Sequence, residues 1–138
     1  MQNLEHAKAL LATGQFTCVA CREGKTHTAT DRGVKPLLTW MDAGLDLTGF
    51  SAADRVVGRA TAFLYCLLGV KEVYAQVMSK PAAEVLADQG IAASAQTYVD
   101  GIINRRGDGP CPFEAAVLAI SDPLDALVAI RQKAAQML

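Results

Sequence analysis

Ser51–Val70, SAADRVVGRATAFLYCLLGV, is the stretch on which the fold turns. A short apolar strand around Phe50–Ala53 meets a charged pair, Asp54-Arg55, and then the most apolar run in the chain. From Arg55 onward, Val56, Val57, Ala60, Phe63, Leu64, Leu67 and Leu68 share one broad side of a helix. Arg55, Gly58, Arg59 and Ala62 form the other side. So wide an apolar arc belongs to a helix pressed on a sheet. Asp54 reads as the N-cap of that helix, with a side-chain oxygen satisfying a free backbone N–H. The junction of a buried strand and a buried helix is also where open α/β sheets hold ligands, so Asp54 is a candidate contact as well as a cap. Gly58, one turn in, leaves room for another backbone or a ligand to come close.

On the N-terminal side, Asp31-Arg32-Gly33-Val34-Lys35-Pro36 opens a helix packed through Leu37, Leu38, Trp40 and Met41 and ended near Ala43-Gly44. Arg32 and Lys35, with Gly33 between them, set two cations beside a helix N-terminus whose free N–H groups already favour an anion. A solvated helix start with charged flanks accounts for them equally well. Upstream, Phe16–Arg22 and Thr26–Thr30, joined by Glu23-Gly24-Lys25, form an antiparallel hairpin with its second strand at an edge. Asn3–Ala12 is an amphipathic helix stopped by Gly14.

On the C-terminal side come a strand over Val70–Met78, a helix from Ser79-Lys80-Pro81 to Gly90, and a weaker strand over Ile91–Thr97. Strands alternating with helices imply right-handed crossovers and parallel pairing in this half. Tyr98–Asn104 reads as a short helix. Asp122-Pro123 opens the last helix, about 122–138, expected to pack on the domain through Leu124, Leu127, Val128 and Ala135.

Asn104-Arg105-Arg106-Gly107-Asp108-Gly109-Pro110-Cys111-Pro112-Phe113-Glu114 is the least core-like piece. Gly107, Gly109 and the prolines fix a particular loop path, and Asn104, Arg105 and Arg106 offer donors suited to phosphate or carboxylate. Pro112 fits the first position of a helix, which makes Cys111 its cap and Glu114 a first-turn acid. A helix N-terminus can favour the thiolate form of a thiol in such a position, which makes Cys111 the best nucleophile candidate among the cysteines. A rigid helix–helix connection with a small capping residue is the simpler account of it.

With 138 residues, 51% hydrophobic and 20% charged, the chain suits one domain, 1–138, with a sizeable core. A net charge of −1 argues against non-specific binding to nucleic acid or an anionic membrane. No run is long and apolar enough to span a bilayer, and MQNLEHAKALLATG has neither a signal-peptide core nor a cleavage site, so a cytoplasmic protein with reduced thiols is expected. Cys18-Val-Ala-Cys21 invites a redox or zinc reading. It lies in a strand, however, where residues three apart point to opposite faces, and His6 and His27 are isolated. Two small buried side chains are the better account.

The order of elements, with DRGVKP, ADRVVGRA, VYAQVMSKPA and NRRGDGPCPFE, resembles an uncharacterised bacterial family with the cytidine-deaminase-like fold, over roughly Leu4–Leu118. The resemblance implies a three-layer α/β/α sandwich around a mixed five-stranded sheet. Zinc-dependent deaminases of this fold need His or Cys, Ala and Glu at the start of one helix, and Pro-Cys-x-x-Cys at the start of the next. By order of elements these fall at Val34-Lys35-Pro36 and near Asp54-Arg55-Val56-Val57, where this chain has no His, Cys or Glu. Pro110-Cys111 echoes Pro-Cys, but it comes too late and Glu114 stands at the second Cys position.

The resulting expectation is a zinc-free domain, with no cofactor, that binds a nucleotide-like small molecule in a regulatory or binding role. Asp54 would accept from ribose or base donors, and Arg32, Lys35, Arg105 and Arg106 would neutralise phosphate. One alternative is a metal-independent enzyme on a nucleoside or nucleotide, with Cys111 or Asp54 as nucleophile or base and Glu114 as acid or base. The other is a partner-binding scaffold, and homo-oligomerisation fits any of the three.

Overall fold

The computed structural model describes residues 2–104 and 106–137. Its elements are α1 (Asn3–Ala12), β1 (Cys18–Arg22), β2 (Lys25–Ala29), α2 (Lys35–Asp42), β3 (Ser51–Val57), α3 (Arg59–Leu68), β4 (Glu72–Ser79), α4 (Lys80–Asp88), β5 (Ala92–Val99), α5 (Pro112–Ala116) and α6 (Pro123–Gln136). The sheet order is β2-β1-β3-β4-β5. Strand β1 runs antiparallel to both neighbours, with Cys18 opposite Ala29 on one side and Asp54 on the other. β3, β4 and β5 are parallel. The mixed five-stranded sheet, with the hairpin at one edge, is the arrangement the sequence implies.

Helix α1 covers one face of the sheet, setting Ala7 and Leu11 on Val19, Cys21 and Ala53. The larger core lies on the other face, where Cys18, Ala20, Ala52, Val73 and Ala75 meet side chains of the remaining helices, among them Trp40, Phe63, Leu86 and Ile130. Cys18 and Cys21 therefore point to opposite faces, both buried and unbridged, as period-two alternation demands. Helix α3 lies at the centre of this layer, with α2, α4 and α6 around it, and every residue from Ala60 to Tyr65 is buried. Ala62, which the helical pattern assigns to the solvent side, is fully covered for that reason. Side chains such as Phe63 and Leu64 each contribute about 1.5–3 kcal/mol by leaving water. Among the described residues, no helix is long and apolar enough to cross a membrane.

Three sequence expectations are corrected. The strand before α3 runs on through Asp54 to Val57, and α3 begins at Arg59 rather than Arg55. Val56 and Val57 satisfy a strand as well as a helical stripe, and their pairing with Val77 and Met78 of β4 decides the matter. The helix expected over Tyr98–Asn104 does not form: Tyr98 and Val99 extend β5 against Met78 and Ser79. Beyond them the only pairing among the described residues is an isolated bridge from Ile103 to Pro110. Finally, α6 packs through Ala126 and Ile130, with Leu127 half-buried, whereas Leu124, Val128 and Ala135 face outward. The helix carries apolar residues on two sides, and the slimmer alanine-bearing one fits against α3.

Helix α3 ends at Gly69, whose φ of 87° lets its N–H reach the carbonyls of Tyr65 and Cys66. The chain before β3 docks there: Leu47 N–H donates to Leu68 O and Gly49 N–H to Gly69 O. A Cβ on Gly69 would stand 2.7 Å from Thr48 Oγ1 and 3.2 Å from Thr48 Cα. Gly69→Ala is therefore expected to lower stability by roughly 2 kcal/mol, from a left-handed backbone and a crowded neighbour together, as read by urea denaturation.

Candidate functional site

A cleft of about 320 Å³ opens where β3 ends and β1 begins. Because these two strands are antiparallel, the start of one and the end of the other share a rim. Asp54 forms the floor, only 8% exposed, opposite Cys18 in the ladder. The Tyr65 hydroxyl donates to Asp54 Oδ2 at 2.7 Å, and Val56 N–H donates to Oδ1 at 3.4 Å. Burial pushes the Asp54 carboxyl up to about 7, against the opposing pull of the Tyr65 hydroxyl, the Val56 and Arg55 backbone N–H groups and the Arg55 charge. Burial and then the Asp54 charge raise the Cys18 thiol, and the same two causes raise Tyr65. Cys18, Asp54 and Tyr65 thus form one buried cluster under the cleft, in which the Cys18 thiol and the Tyr65 hydroxyl keep their protons and Asp54 changes state near neutrality.

One wall is the segment entering α2, where Asp31, Arg32, Gly33 and Val34 line the cleft. Lys35 is absent from that lining: its ammonium lies 3.8 Å from Asp31 Oδ1, an exposed pair of small energetic weight. Arg55 lines the cleft but its guanidinium is a clip, donating to the carbonyls of Phe16 (3.0 Å) and Gly14 (2.9 Å).

The facing wall joins Gly58, Ala60 and Thr61 at the start of α3 to Cys111, Phe113 and Glu114 of the α5 segment. Asp54 does not cap α3, because it lies within β3, and the cap comes from far along the chain. Glu114 Oε1 accepts from Arg59 N–H at 2.6 Å and Oε2 from Ala60 N–H at 2.8 Å. A carboxylate at a helix N-terminus satisfies free donors and complements the dipole. Gly58 makes room for it, since a Cβ there would lie 2.7 Å from Glu114 Cδ. The close approach expected at Gly58 is thus made by the protein's own acid. Cys111 occupies the N-cap position of α5, but its side chain makes no cap hydrogen bond.

The described polar and glycine positions of the loop, Asn104, Arg106, Gly107 and Gly109 among them, lie outside the cleft lining, and Arg105 lies outside the described residues. Asn104 closes the loop on itself: Oδ1 accepts from Gly107 N–H and Nδ2 donates to Asp108, both at 2.8 Å. Of the sequence candidates, the cleft gathers Arg32, Gly33, Asp54, Gly58, Cys111 and Glu114. Sequence reasoning missed Tyr65 and Cys18. A tyrosine within an otherwise apolar helix was the available signal, because its buried hydroxyl must find a partner.

The zinc of the deaminase fold does not suit this donor set. The start of α2 offers Val34, Lys35 and Pro36, and the start of α3, now located at Gly58, offers Arg59, Ala60 and Thr61. Both Glu114 oxygens are engaged by backbone N–H groups. Among the described residues, no three His, Cys, Asp or Glu side chains are grouped so as to hold a metal ion.

This α/β/α architecture, with its rim cleft, is that of the cytidine-deaminase-like fold. The chain belongs to the family described as TM1506, domain of unknown function (DUF1893), whose model matches residues 6–134. The crystal structure of the DUF1893 family protein TM1506 from Thermotoga maritima superposes with a TM-score of 0.87 at 25% identity, over 96% of this chain and 91% of that one. The apo dCMP deaminase of cyanophage S-TIM5 superposes with a TM-score of 0.52 at 14% identity, over 69% of this chain and 99% of that one, a likeness of fold alone. No curated protein sequence matches the chain.

A carboxyl whose folded pKa, about 7, exceeds its ordinary 3.8 binds more protons folded than unfolded between those values. Its contribution favours the native state at low pH and is lost as pH rises through about 7. Asp54→Asn is therefore expected to change stability little at pH 4 and to raise it by about 3 to 4 kcal/mol at pH 8, read from denaturation curves across that range.

Proposed function

We propose that the cleft binds a nucleotide-like small molecule and that the protein works as a binding or regulatory domain without zinc chemistry. The observation that carries this reading is Asp54, buried under a hydrogen bond from Tyr65 yet lining the floor of a ligand-sized cleft. Pockets of about 300 Å³ upward hold small ligands, and a few placed polar groups in them set orientation. A carboxyl near its midpoint at neutral pH both donates to and accepts from the edge of a base or sugar. Arg32, exposed at the rim, supplies a forked cation for phosphate. The fold is compatible with such a ligand, since the cyanophage relative is named for a nucleotide substrate.

A metal-independent reaction on the same ligand is the second reading. It is favoured by a carboxyl with a pKa of about 7 at the cleft floor, the value a general acid–base needs near neutral pH. Glu114, held by two backbone N–H groups, is a wall of the site rather than a proton carrier.

Isothermal titration with ATP, NAD, ADP-ribose and the parent nucleosides tests the proposal. Binding is expected with at least one of them, and at a hundredfold excess over Kd that ligand should stabilise the fold by about 2.7 kcal/mol. Arg32→Ala should weaken phosphate-bearing ligands about tenfold and nucleosides little, whereas Asp54→Asn should weaken both. Absence of heat and of thermal stabilisation across the panel would overturn the reading, and release of a product from the bound ligand would select the enzyme.

A further inference from the structure

The wall made by residues 112–120 is attached to the molecule in an unusual way. Helix α5 contributes no buried residue, and within 112–120 only Val117 is fully buried. Val117, with the half-buried Phe113 and Ile120, packs on the core, and the polar part of the attachment converges on one residue of α3. Arg59 receives Glu114 Oε1 on its backbone N–H, and its guanidinium donates to the carbonyls of Val117 and Ile120 while lying 5.1 Å over the Phe63 ring. Ala60 N–H takes the second Glu114 oxygen. The same segment presents Cys111, Phe113 and Glu114 to the cleft.

We infer that residues 112–120 form a movable wall of the cleft, latched shut by the Glu114 carboxylate on the first N–H groups of α3, so that release of the latch governs passage into the cleft. This inference rests on the reading of the cleft as a ligand site, and it assigns the control of access to that site. Apolar packing is non-directional and distributed, whereas this attachment depends on charge-assisted hydrogen bonds from one side chain. Breaking them leaves one fully buried side chain, Val117, with the half-buried Phe113 and Ile120, to hold the segment, which marks a stretch able to open locally while the rest of the core stays closed. Gly58 is part of the device, because the carboxylate sits where a Cβ would be. Its backbone, φ −97° and ψ −178°, is one that any residue adopts, so Gly58→Ala tests steric exclusion of the latch and not backbone strain.

The experiment uses the intact protein without ligand, and follows thiol labelling of Cys111 with amide exchange at Arg59, Ala60 and residues 112–120. Cys111 is half-buried in the closed wall, whereas Cys21, buried under α1 on the opposite face of the sheet from the cleft, serves as the reporter of global unfolding. Gly58→Ala and, separately, Glu114→Gln are expected to speed both Cys111 labelling and amide exchange in this wall by about tenfold or more, as loss of charge-assisted hydrogen bonds implies, with Cys21 still unreactive. Unchanged rates in Glu114→Gln overturn the latch, and that variant decides the matter if Gly58→Ala exposes Cys21. A parallel titration with the nucleotide panel separates the two claims. Faster opening with no ligand bound leaves the latch standing and removes the ligand reading, whereas ligand binding with unchanged opening does the reverse.

Discussion

A helix surrounded by other elements cannot leave its first N–H groups without acceptors, and α3 is such a helix. Its answer is a carboxylate brought from 55 residues away, Glu114, seated against Arg59 and Ala60. That one interaction fixes the α5 segment beside α3, and so it gives the cleft its second wall. It also explains why position 58 is glycine. At this helix start a side-chain anion and two backbone donors satisfy one another.

The other polar device is set deeper. Asp54 stands in the sheet across from Cys18 and beneath the Tyr65 hydroxyl, three titratable groups from β1, β3 and α3 gathered out of water. Left ionised, the carboxylate would lack the solvation it has in water, and one tyrosine donor with a long backbone bond compensates only in part. The outcome is a carboxyl that changes state near neutrality. Such groups are costly to a core, and their position facing a cleft gives the cost a reason.

Much of the fold was legible because its signals were local. Alternation marked β2 and β4, glycines marked the ends of α1, α2 and α4, and the strand–helix alternation after Phe50 implied the parallel half. The start of α3 was not legible, since Val56 and Val57 fit a strand and a helix alike and only β4 chooses between them. Asp54 was read both as a contact at the carboxyl edge of the sheet and as a helix cap; it lies within β3 and caps nothing, and its cleft-facing position follows from the end of that strand. Glu114 was found as an acid, but its role depends on a contact that no local pattern encodes. The arginine-glycine loop had the composition of a phosphate cradle, yet the Asn104 amide draws Gly107 N–H and Asp108 into hydrogen bonds within the loop itself.

The sequence separation between Arg59 and Glu114 has a consequence for how the molecule comes into being. During translation α3 leaves the ribosome 55 residues before its acceptor does. At ordinary elongation rates that interval is about 3 to 10 seconds. The residues of the cleft floor come from β1, β3 and α3, and they are synthesised while its far wall is still unmade. The carboxylate that completes α3 thus arrives seconds after the helix it caps.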